Sequence, residues 1–147
     1  FIVSTRTTAR EVEQKLEYYE VDETKAVILD TLSIERGYTR RQSDNVRYVS
    51  SPDDLDGIVD HIRQFLENHD GKLRVTVDSL NEMAYYADED RTREAANAIL
   101  ALLDEFDAVG LFHLDREVFE QSTVGEFGDL FDGVIDLDET GTVTSEF

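Results

Sequence analysis

Apolar and polar positions alternate along this chain in two periods, and the switches between them mark the elements. "FIVST" (residues 1–5) is a β-branched run and reads as a strand. Thr8-Ala-Arg-Glu11 then has the form of a capping box, and Val12, Leu16 and Tyr19 follow at helical spacing. "KAVILDTL" (Lys25–Leu32) is a continuous apolar run, as expected of a strand buried on both faces. Residues 33–43 show no period and read as a loop, after which "NVRYVS" is a short strand. Ser51-Pro52-Asp53-Asp54 predicts a helix start, with Ser51 as cap, Pro52 at the first helical position and acids toward the positive helix end. Leu55, Ile58, Val59, Ile62, Phe65 and Leu66 form its apolar stripe, and residues 68–71 end it.

"KLRVTVDSLNEM" (Lys72–Met83) runs a strand into Asp78-Ser79 and at once into a helix. A longer helix from about Asp90 to Phe106 places Ile99, Leu102, Leu103 and Phe106 inward, and "AVGLFHLD" is a further strand. Thr123-Val-Gly-Glu126 predicts the cap of a short helix through Phe131. "GVIDLDETGTVTSEF" closes as two strands around Thr140-Gly141. Strands alternating with helices predict an α/β fold, a mainly parallel sheet with helices on both faces, and a C-terminal hairpin adding antiparallel strands at one edge. Ligands of such sheets gather beyond the carboxyl ends of the strands. Those ends carry Ser4-Thr5-Arg6, Asp30-Thr31, Asp78-Ser79 and His113–Asp115.

Composition narrows the partners. At 147 residues, 40% of them hydrophobic, the chain suits one domain with a sizeable core. Thirty-four acidic residues against 14 basic ones give a net charge of −20, and Lys15, Lys25 and Lys72 are the three lysines. Such a surface repels a phosphate backbone, so nucleic acid is not an expected partner. Acidity with scarce lysine, spread evenly along periodic segments, is the pattern expected of proteins from high-salt cytoplasm. There a Debye length of roughly 3 Å at 1 M salt screens the self-repulsion. No apolar run approaches a membrane span, and no leader-like segment is present. No cysteine occurs, which removes disulfides and thiolate metal sites. The expected location is the cytoplasm. A chain opening inside a strand without an initiator methionine is expected to be a fragment, or to have lost a preceding part.

Few residue patterns carry chemistry. Asp78 and Ser79 stand either at a nucleotide and metal site or at a helix start, with Ser79 as cap and Glu82 completing the box. Asp30 at a strand end admits a receiver-type phosphoacceptor, although no lysine follows "GLFHLD" and no acidic pair ends the first strand. No histidine spacing points to zinc, and neither Ser4 nor Ser79 sits in a G-x-S-x-G elbow beside His113. Arg40-Arg41 reads as an anion contact or a solvated loop. Tyr85-Tyr86 reads as a contact surface or a covered sheet edge.

The order of these segments resembles the RecA-like P-loop ATPases of the KaiC and archaellum-regulator branch, in particular KaiC-like proteins of halophilic archaea. "RVTVDSLNEM" is similar to that family's Walker B strand. "SSPDDLDGIVDHIRQFL" is similar to the helix before it, "FDGVIDLDE" to a late strand, and "FIVSTRTTAREVEQKL" to the strand and helix after Walker A. The resemblance covers nearly the whole chain as one partial or degenerate domain with a RecA-like sheet. It implies Mg-ATP as cofactor and Asp78 and Ser79 as the nucleotide and magnesium residues, with Asp78 the metal ligand. It also implies Thr5, Arg6, Thr7 and His113 as phosphate-proximal or sensor positions, and self-association into a homo-oligomer among protein partners. No G-x-x-x-x-G-K-[ST] occurs, so nucleotide binding would need an upstream P-loop. The position of the family's acidic pair reads Arg6-Thr7, and arginine cannot act as a base. The expectation is a regulatory or scaffold module without hydrolysis. The alternative is a nucleotide-independent protein-interaction domain of a halophile signalling system.

Overall fold

The computed structural model describes residues 1–38 and 43–147, and the chain divides into two compact units, 1–114 and 115–147. The Arg40-Arg41 pair lies outside the described residues. In the first unit five strands form a fully parallel sheet: β1 (Ile2–Ser4), β2 (Ile28–Asp30), β3 (Val46–Tyr48), β4 (Arg74–Val77) and β5 (Val109–Phe112). Their order is β3-β2-β1-β4-β5. The chain thus steps outward from β1 to β2 and β3, returns across β1 to β4, and continues to β5. The direction reverses between β1 and β4, which makes the gap beyond their carboxyl ends the topological switch point.

The strands are joined by helical crossovers, and parallel crossovers of this kind are generally right-handed, which puts the helices of the two arms on opposite faces. Helix α1 (Ala9–Tyr18) connects β1 to β2, and its Ala9 and Val12 form a core with Ile28 and Val46, against which Ile2, Leu16 and Tyr48 also pack. The alternate strand positions Val3, Leu29, Val75 and Val77 are fully buried on the other face. Helices α2 (Leu55–Asn68), α3 (Leu80–Tyr86) and α4 (Glu89–Glu105) belong to that arm of the chain. The stripe predicted for α2 is buried at Leu55, Ile58, Ile62 and Leu66, and α4 buries Ile99, Leu102 and Leu103 as expected. The expectation of an α/β fold with a parallel sheet and a closing hairpin therefore holds.

Several boundaries differ from the sequence reading. The apolar run Lys25–Leu32 contributes only Ile28–Asp30 to the sheet, because a 3₁₀ turn at Glu23–Lys25 precedes it and the Asp30 side chain turns the backbone at Leu32 and Ser33. Tyr19 is exposed beyond the end of α1. Helix α2 is capped by Asp54, not Ser51: the Gly57 amide donates to Asp54 Oδ1 at 3.1 Å, and residues 51–54 form a turn closed by the Asp54 amide on the Ser51 carbonyl. Gly57 is what permits this cap, since a Cβ there would lie 2.5 Å from Asp54 Oδ2. In the second unit, α5 (Gln121–Gly128) starts after Glu120, and the predicted cap Thr123 is a buried residue inside the helix. The strands β6 (Val134–Leu137) and β7 (Val143–Glu146) form the expected hairpin but make a two-stranded sheet of their own, not an addition to the edge of the parallel sheet.

Candidate functional site

The sheet's carboxyl edge is assembled from three strand ends, and two aspartates organise it. At the switch point Asp78 leaves β4 directly opposite the end of β1. The Thr5 amide donates to both of its oxygens, at 2.9 and 3.0 Å, and the Thr5 hydroxyl donates to Oδ1 at 2.5 Å. The Arg6 amide donates to Oδ2 at 3.4 Å. These contacts use the acceptor sites of both carboxylate oxygens. Asp78 therefore fastens the loop after β1 to the end of β4, which are neighbours in the sheet but 73 residues apart in the chain.

Asp30 does the same on the other side of β1. Its Oδ1 accepts from the Leu32 and Ser33 amides at 2.9 and 2.8 Å, and its Oδ2 accepts from the Ala9 amide at 2.8 Å and the Ser33 hydroxyl at 2.6 Å. The bond to Ala9 meets the first turn of α1, where unpaired amides and the positive helix end favour a carboxylate. Asp30 is 1% exposed. A phosphoacceptor must reach solvent and its phosphoryl donor, so the receiver-type expectation for Asp30 fails on burial. What marks it in the sequence is Asp-Thr-Leu-Ser after a strand, a side chain that bonds amides two and three residues on.

The other predicted residues fall into place around these clamps. Ser79 is buried and caps α3, its Oγ accepting from the Glu82 amide at 3.1 Å. The Ser4 hydroxyl donates to the Thr7 carbonyl at 2.6 Å and lies 3.0 Å from the Thr7 hydroxyl. The Thr31 hydroxyl and amide donate to the Ser4 carbonyl at 2.8 and 3.2 Å. His113 extends the β5 ladder, its amide bonded to the Val77 carbonyl at 3.0 Å and its carbonyl accepting from the Leu80 amide at 2.9 Å, while the residue itself is exposed. Thr5, Arg6, Thr7 and Asp78 are thus brought together; Ser79 and His113 serve the start of α3. Tyr85 is exposed and Tyr86 half-buried.

Chemically, this edge holds its loops in place with groups that already have partners. Among the described residues no cluster of three or more acidic or histidine side chains is arranged to hold a metal ion. Asp78 is half-buried and also lines a groove beside the switch point. What the sequence reading missed is this groove, between α1 and the sheet, in which Arg6 and Lys15 stand over apolar side chains. One signal was available: Lys15 lies on the same helical face as Val12, Leu16 and Tyr19. Among the described residues no helix is long and apolar enough to cross a membrane.

No curated protein matches the sequence. The model of DUF7090, a family of unknown function, matches residues 1–147, and the chain belongs to that family.

Proposed function

We propose that this chain is a regulatory or scaffold module that does not hydrolyse nucleotide, and that its switch-point aspartate serves structure. The observation that carries this reading is that the Asp78 carboxylate accepts from the Thr5 amide, the Thr5 hydroxyl and, at 3.4 Å, the Arg6 amide, which ties it to the loop after β1. A Walker B aspartate works with its oxygens turned to magnesium, directly or through water, beside a phosphate cradle. Here the oxygens are turned to the neighbouring loop, no cradle motif occurs in the sequence, and Arg6-Thr7 offers no base. The similarity to RecA/KaiC-like ATPases rests on the sequence motifs. On this reading nucleotide binding would need a P-loop outside these residues.

The net charge of −20 supports proteins and small ligands as partners and disfavours nucleic acid. It equally supports a cytoplasm rich in salt as the setting. The test is phosphate release from Mg-ATP in molar KCl, run beside calorimetric titration with Mg-ATP and Mg-ADP. The expected result is no release above buffer. Turnover that disappears in a folded Asp78→Asn variant would overturn the reading.

A further inference from the structure

The groove beside the switch point has the polarity of a binding site for a small amphipathic anion. Its space is about 580 Å³, within the range of small-molecule pockets. Ile2 of β1 and Val12 and Leu16 of α1 form its apolar side, extended by Tyr19 and Val21 past the end of the helix. Arg6, Thr7 and Asp78 stand at the carboxyl edge of the sheet, and Lys15 lies between the two ends. Helical side chains lean toward the helix N-terminus, so the Lys15 ammonium is directed toward the Arg6 end.

Two features bear on what this groove can hold. The first is that its two cations, Arg6 and Lys15, form no ion pair, as is true of most described basic residues, and here both line one groove. The second is that the one carboxylate lining the groove, Asp78, is bonded to the Thr5 and Arg6 amides; it keeps its charge, and two cations line the same groove against it. Two cations among apolar side chains match an anionic head with a short hydrocarbon or aryl tail.

We infer that the groove between α1 and the β1–β4 edge binds a small amphipathic carboxylate, its head held by Arg6 and Lys15 and its tail lying on Ile2, Leu16 and Tyr19. The inference stands on this geometry and is independent of whether the domain turns over nucleotide. The test is amide chemical-shift mapping of the full chain in 1 M KCl, with octanoate as probe and 1-octanol as its uncharged counterpart. The expected result is saturable shifts at Ile2, Leu16 and Val21 with octanoate, and binding of 1-octanol weaker by about tenfold, the worth of a charge-assisted contact. The Arg6→Gln/Lys15→Gln double variant, altered only at exposed side chains, should keep its fold and lose octanoate binding by at least the same factor. Shifts that never saturate, shifts confined to another surface, equal binding of 1-octanol, or unchanged binding by the folded double variant would each overturn it.

Discussion

Replacing Asp30 with alanine tests the claim that buried carboxylates hold the sheet's carboxyl edge together. The side chain accepts from three backbone amides and one hydroxyl in a place that is 1% exposed. A buried donor left without its acceptor costs about 1–3 kcal/mol. The Ser33 hydroxyl can turn to another partner, and water entering the small void relieves part of the remainder. The three amides at Ala9, Leu32 and Ser33 then set a loss of about 4 kcal/mol, at the upper end for a point change. Against a domain stability of about 5–15 kcal/mol, that loss lowers the unfolding midpoint severely. Asp30→Asn keeps one acceptor oxygen and should lose about half as much. The assay is urea unfolding in molar KCl followed by circular dichroism, with Glu105→Ala on the exposed side of α4 as a control within about 0.5 kcal/mol. A loss under about 1 kcal/mol for Asp30→Ala would show that the four bonds do not carry the load assigned to them.

Three further outcomes follow from single contacts. Thr5→Val removes the hydroxyl bond to Asp78 but leaves the amide bonds, and should cost about 1–2 kcal/mol in the same unfolding assay; no cost would deny the clamp. Gly57→Ala should bring no net stabilisation although alanine favours a helix by about 1 kcal/mol, because the new Cβ displaces the Asp54 cap, itself worth about 1 kcal/mol. A clear gain would mean that the cap is dispensable. Burial first, then Arg47, holds the His61 imidazole below the usual histidine value. With the folded value below the unfolded one, the unfolded chain takes the proton first. The contribution is therefore complete above about pH 6.5, the unfolded value, and is lost as pH falls from there through the lower folded value. His61→Gln should flatten the stability slope between about pH 7 and pH 5, and an unchanged slope would contradict the assignment.

The sequence made the succession of elements legible because each buries one face with its own period. The 3.6-residue stripe of Leu55, Ile58, Ile62 and Leu66 and the apolar strand before Asp78 are cases of this. Ser79 was recognisable as a cap because its partner amide lies three residues on. Ends set by competition between neighbours were not legible. Ser51 and Asp54 both offer a capping oxygen, and the absence of a Cβ at Gly57 decides for Asp54. Thr123 has the right residue type, yet it sits buried inside α5. The edge residues were legible by position, and their contacts were not. That Asp78 sits at a strand end is local information, whereas its engagement by Thr5 depends on β1 and β4 being neighbours in the sheet. The groove was hidden for a related reason: it depends on which side of α1 overhangs the β1–β4 edge, a relation between elements that periodicity within either one does not contain.

The most direct test of the structural role of Asp78 is to follow the Thr5 and Arg6 amide resonances while Mg-ATP is added in molar KCl. Bonded to the carboxylate, the Thr5 amide should exchange slowly with solvent, and both amides should keep their shifts through millimolar Mg-ATP, while Asp78→Asn should perturb them without any nucleotide. Loss of the Thr5 protection on addition of Mg-ATP, with magnesium taking the carboxylate from Thr5, would contradict the account and restore Asp78 as a metal ligand.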